Sequence, residues 1–255
     1  VLVNDPGITT GNPEFFKGNT MTYYGRWTYK YEEAARQGAK GCIIIHVNKG
    51  AGYNFSVVQN GAVFPKLYLE SENGYKERCE VEGWITSDAA KRVLSFSNVA
   101  ESVLAKAATE NHKSFSLEAN GSVKIDQSFV SKASKNVLAY LEGSDKKEEL
   151  IIFSAHWDSF GIGPKVAGDS IYNGAIDNGT SLAWMLETAK AFKKLKKKQS
   201  RSILFFAPTA EEAGLLGSAY YAENPIYPLS KTIAVINNDL MFPFGKTKDI
   251  MVTGF

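Results

Sequence analysis

The chain has 255 residues, 44% of them hydrophobic and 22% charged, with 29 Lys and Arg against 27 Asp and Glu, two Cys and three His. That length holds one large domain or two ordinary ones, and the composition excludes disorder, a collagen and a disulfide scaffold as the main state. A formal charge of +2 gives no general pull toward nucleic acid or anionic lipid, and no apolar run approaches the roughly 20 residues that cross a bilayer.

The first segment, Val1-Leu2-Val3, reads as a strand with neither an initiating Met nor a signal-peptide layout, so the chain is expected to begin inside a longer protein. A helix near Tyr31 to Gln37 and a strand from Cys42 to Val47 follow a long polar loop. Short apolar runs at Pro65 to Leu69 and Val81 to Ile85 lead into a helix signal over Thr86 to Leu94, which Ser87 or Asp88 can cap. Residues 1–97 are therefore expected to form a small mixed α/β domain. The stretch 98–135 turns polar, and its alternation at Ser114 to Glu118 and Val123 to Asp126 suggests edge strands in a connecting segment.

From Asn136 the rhythm lengthens. Strands are expected at 137–141, 150–155, 202–207, 232–236 and 250–252, with helices near 179–198 and 215–223. Continuous apolar strands separated by helices indicate βαβ units on a largely parallel, buried sheet. The lysine run 193–198 is the solvated end of the long helix, where cations complement the dipole. Cys42 and Cys79 leave a disulfide open, although Cys42 lies in a buried-strand pattern.

Four clusters sit where strands end, the edge at which open α/β sheets bind ligands. His156-Trp157-Asp158 follows one apolar strand, and residues two apart on an extended segment share a face, so Asp158 can orient the His156 ring. Asp177 in Ala175-Ile176-Asp177-Asn178-Gly179 precedes the long helix, where an N-cap is the plainer explanation. Glu211-Glu212 lies between a strand and a helix. Adjacent carboxylates there repel unless a cation or proton stands by, and one can ligate a metal while the other addresses a bound water. Asp239 ends the strand Ile233 to Ile236. One His and several carboxylates at successive strand ends offer hard N and O ligands for one or two divalent ions.

These motifs, with Gly168 to Gly179, Thr209 to Ser218 and Asn238-Asp239, resemble those of the co-catalytic zinc peptidases of metallopeptidase family 28 in order and spacing. Residues 1–97 resemble the protease-associated domain of secreted bacterial members through Ala39 to His46 and Val81 to Thr86. The resemblance implies a three-layer α/β peptidase core at 136–255 and two zinc ions. His156 and Asp239 would hold one ion, Asp177 would bridge both, Glu212 would belong to the other, and Glu211 would be the general base. It also implies a cis peptide after Asp177, peptide or protein substrates, a secreted or periplasmic location, and aminopeptidase activity. A non-catalytic binding module, a carboxypeptidase and a single-zinc cyclase on the same core remain open.

The family completes its second zinc site with a later His, and this chain has none beyond 156. His46 and His112 lie elsewhere and are expected to be structural or surface residues. The chain is thus expected to lack the C-terminal part of the catalytic domain, and on its own to be catalytically impaired.

Overall fold

The computed structural model describes residues 10–248 apart from positions 19, 21, 63, 64, 108, 110, 111, 243, 244, 247. The expected strands at 1–3 and 250–252 fall outside the described residues. Contacts divide the chain into two units, one reaching to Ser128 and the other running from Phe129 onward and including Leu67–Leu69.

In the first unit, helix α1 (Trp27–Arg36) precedes strand β1 (Gly41–His46), and two short helices follow, α2 (Asn48–Ala51) and α3 (Phe55–Ala62). Strand β2 (Val81–Thr86) pairs parallel with β1 and leads directly into α4 (Ser87–Phe96), after which comes α5 (Ser102–Lys106). Every second residue of β1 turns inward, so Cys42 and Ile44 meet Cys79 and the Tyr31, Ala34 and Ala35 stripe of α1. Tyr31 satisfies its buried hydroxyl by donating to the Gly83 carbonyl at 2.9 Å. The cap of α4 is Thr86, one residue before the expected Ser87, because the Thr86 hydroxyl accepts from the Ala89 amide at 3.1 Å. Both cysteines are free thiols, and burial raises the pKa of each.

No strand forms at Pro65 to Leu69, and residues 112–136 take neither helix nor strand. The alternation there has no face to bury: Phe115, Val123 and Ile125 are all exposed. Period-two patterning specifies a strand only when a partner supplies the ladder and the covering layer.

The second unit is built on β3 (Val137–Leu141), β4 (Lys146–Ser154), β7 (Arg201–Ala207) and β8 (Thr232–Asn237) in the order β3-β7-β4-β8. Strand β3 runs antiparallel to β7, whereas β4 is parallel to both β7 and β8. A hairpin of β5 (Gly161–Val166) and β6 (Asp169–Tyr172) stands apart from this sheet. The central strands are apolar on both sides because each face is covered. Phe153, Ala155, Ile203, Phe205 and Ala207 pack beneath Leu182, Met185, Ala189 and Phe192 of α6 (Ser181–Lys193). On the opposite face Leu150, Ile152, Leu204 and Phe206 meet Tyr221 of α7 (Leu216–Glu223), with the Phe206 and Tyr221 rings 4.9 Å apart. The sheet is largely parallel, as the apolar runs indicate.

The loop between β7 and α7 is fastened by Asn136. Its side-chain oxygen accepts from the Thr209 amide at 3.1 Å, and its side-chain nitrogen donates to the Gly217 carbonyl at 2.8 Å. Gly217 itself donates to the Thr209 carbonyl at 2.9 Å, so two backbones approach closely. A Cβ on Gly217 would stand 2.3 Å from that carbonyl oxygen and 2.5 Å from the Asn136 side-chain oxygen. Gly217→Ala is therefore expected to lower stability by about 1–3 kcal/mol or more, read as a fall in the thermal midpoint. An unchanged midpoint would mean that this backbone junction gives way freely.

Candidate metal centre

Parallel pairing of β4 with β7 and β8 brings three chain segments out at the same sheet edge. The ladder continues past the strands: Ala155 donates to the Phe206 carbonyl at 3.2 Å, Trp157 to Pro208 at 3.1 Å, and Asn238 to Ser154 at 3.0 Å. His156 leaves β4, Glu211 and Glu212 follow β7, and Asp239 follows β8. Asp177 arrives on the turn Ala175–Thr180 ahead of α6. Gly174 opens that turn at φ 65°, and a Cβ there would stand 2.7 Å from the Ser159 side chain, so glycine lets the turn lie against the segment after His156. The Asp177-Asn178 peptide is cis.

His156 is 3% exposed and forms the centre of the cluster. Its Nε2 lies 3.0 Å from Asp177 Oδ1, 3.4 Å from Asp239 Oδ1 and 3.8 Å from Glu211 Oε2. On the other side of the ring, Nδ1 is 3.1 Å from the main-chain carbonyl of Asp158. A proton on Nδ1 donated to that carbonyl leaves the Nε2 lone pair for a metal.

Asp158 orients the ring through its main chain. Its carboxylate lies 3.6 Å from Nδ1 and is engaged elsewhere, accepting from the Glu211 amide at 3.0 Å and the Glu212 amide at 3.2 Å. The side chain expected to hold the imidazole thus braces the two glutamates. Neither this bond nor the Asn136 clasp was visible in the order of residues, since the partners are 53 and 73 positions away.

Crowded acids make the site electrostatically costly. Burial pushes the Glu212 carboxyl up to about 7, with the charges of Asp177 and Glu211 adding to the shift. Glu211 is raised too, first by burial and then by Asp239 and Asp158, against the opposing pull of His156. For His156 burial favours the neutral ring, but the charges of Glu211, Asp239 and Asp158 outweigh it and raise the pKa.

The residues fit a divalent ion. His156, Asp177 and Glu212 each offer a ligand atom within 4.8 Å of the others. Oε1 of Glu212 is buried and has no hydrogen-bond partner among the described residues, the condition a ligating oxygen would be in before its ion. Imidazole nitrogen and carboxylate oxygen are the donors zinc takes. His46 and His112 are not part of the cluster. His46 is buried among the rings of Tyr53, Phe55 and Trp84 with Nε2 at 3.0 Å from the Tyr53 carbonyl, and His112 is exposed.

The profile of peptidase family M28 matches residues 136–254. Aminopeptidase NAALADL1 of Mus musculus is 29% identical over 136 residues, which is 51% of this chain and 17% of the relative. A glutamate carboxypeptidase 2 homolog of Caenorhabditis elegans is 29% identical over 121 residues, covering 46% of this chain and 14% of the relative. A vacuolar membrane protease of Saccharomyces cerevisiae is 32% identical over 100 residues, covering 39% and 9%. The chain thus spans less than a fifth of the length of these relatives. The expectation of a secreted or periplasmic location is overturned by the last of these, which is named for the vacuolar membrane. Among the described residues, no helix is long and apolar enough to cross a membrane. Residues 136–254 of this chain thus carry the sequence profile of peptidase family M28.

Proposed function

We propose that the chain carries the metal centre of a zinc-dependent exopeptidase of aminopeptidase type. The observation that carries this reading is the convergence of Asp177, Asp239 and Glu211 on His156 Nε2, with Glu212 Oε1 buried and without a hydrogen-bond partner among the described residues. His156 and Asp239 would hold one zinc, Asp177 would lie between two, and Glu212 would serve the second. Bound there, zinc supplies Lewis acidity toward a water molecule and the scissile carbonyl.

Glu211 moves the proton in this reading. Its side chain is 25% exposed, so its carboxylate can reach a substrate, and burial raises its pKa toward the working range of a general base. Water oxygen attacks the carbonyl carbon as Glu211 takes the water proton. The C–N bond then breaks as Glu211 returns that proton to the amine nitrogen. Asp158, by holding the Glu211 and Glu212 amides, fixes where both carboxylates emerge.

Charge supports cleavage from the amino end. Among the described residues, Asp158, Asp177, Glu211 and Asp239 form ion pairs only with His156, and no Lys or Arg pairs with them or with Glu212. Such surroundings favour a substrate ammonium, whereas a terminal carboxylate needs a cationic partner. The relative named as an aminopeptidase supports the same direction. A smaller module in residues 1–97 is the protease-associated domain in this reading.

Calorimetric titration of the chain with zinc is expected to show binding that a chelator reverses and that Glu212→Gln or Asp177→Asn weakens at least about tenfold. Binding that ignores both substitutions would exclude the proposed ligand set. In a hydrolytically active preparation, Glu211→Gln is expected to lower kcat by about 10²–10⁴-fold with zinc content retained. Amino-acid amides should be cleaved and their N-acetylated forms spared; equal cleavage of both would exclude aminopeptidase action.

A further inference from the structure

Asn178 is 2% exposed, and its side-chain amide is used on one side only. Nδ2 donates to the Asn238 carbonyl at 3.2 Å, across 60 residues of chain. Oδ1 is buried with no hydrogen-bond partner among the described residues. An apolar side chain would avoid the cost of that unpartnered oxygen. The position therefore has a use for the donor.

That donor acts on the residue immediately before Asp239. The Asn238 amide is already tied to the Ser154 carbonyl at 3.0 Å, which continues the β8 to β4 ladder. With its carbonyl held by Asn178, the Asn238 main chain is restrained on both sides. Asp239 needs this restraint, since its side chain is 40% exposed while its Oδ1 stands 3.4 Å from His156 Nε2, next to the Asp177 carboxylate at 3.0 Å. Two like charges on one ring nitrogen push apart, and water is open to both.

We propose that Asn178 is a positioning residue for Asp239: its amide ties the strand end of β8 to the turn ahead of α6 and so keeps the Asp239 carboxylate on the metal centre. The proposal rests on the metal-binding reading above. A carboxylate at position 178 would lack the donor and add another negative charge, and a serine is too short to bridge the same span.

Zinc affinity of the chain, measured by competition with a chromophoric chelator, tests this in a double-mutant cycle. Asn178→Ala is expected to weaken binding roughly 10–100-fold. In an Asp239→Ala background the same change is expected to cost no more than about threefold, because the group through which the amide acts is gone. Equal losses in both backgrounds would overturn the proposal, as would unchanged affinity in folded Asn178→Ala. Should that variant fail to fold by circular dichroism, Asn178→Ser replaces it; failure of both would make Asn178 a residue of the fold and overturn the positioning role. Absence of zinc binding by the unaltered chain would instead overturn the metal-centre reading, and this proposal with it.

Discussion

The parallel ladder of β4 with β7 and β8 is the constraint on which the site depends. Parallel strands send their carboxyl ends to one edge, and here each of the three ends is followed within a few residues by a His or a carboxylate. The ladder does not stop at the last strand residue. Bonds from Ala155, Trp157 and Asn238 carry the main-chain pairing into the loops, so the residues bearing His156 and Asp239 inherit the rigidity of the sheet. Covering both faces of the central strands makes that rigidity possible, since α6 and α7 seal the two apolar sides.

Electrostatics then sets what the edge can hold. Several acids gathered on one imidazole repel each other, and the pKa values of Glu211 and Glu212 are raised first by burial and then by that repulsion. A polar framework offsets part of the cost. Asp158 caps two successive amides, Asn136 clasps the loop between β7 and α7, and Asn178 holds the end of β8. Each of these bonds goes to backbone, so the framework fixes where side chains start and leaves their oxygens free for a ligand. Preorganisation of this kind sets the imidazole nitrogen and the carboxylate oxygens in place through the backbone.

The first unit is held by different means. Its two-stranded parallel sheet is covered by α1 through Tyr31, Ala34 and Ala35, and β2 runs straight into α4 with Thr86 as the hinge and cap. His46, at the end of β1, is enclosed by aromatic rings and bonded to a carbonyl. A histidine at a strand end is therefore no sign of a metal site in itself; the difference between His46 and His156 is the absence or presence of carboxylates on the ring.

Much of this was legible in the order of residues, because strands such as Leu150 to Ala155 and Ser202 to Ala207 are apolar except for one serine each, and helices such as 181–193 show a spaced apolar face. The identities of His156, Asp177, Glu211, Glu212 and Asp239 as a group could also be read, since each follows an element whose end is marked locally. Two kinds of expectation failed. The alternation at Ser114 to Asp126 forms no strand among the described residues, and the hairpin β5 to β6 was not foreseen, because a strand needs a partner that local pattern does not name. The role of the Asp158 carboxylate moved from the imidazole to two amides, and Asn136 and Asn178 emerged as fasteners, because a hydrogen bond across 53 to 81 residues exists only once the strands have chosen their order. Sequence alone determined the chemical inventory and the elements that carry it, through burial periodicity and residue type. Only the tertiary structure decided which oxygen faces which nitrogen, because that choice depends on strand order and direction at a shared sheet edge.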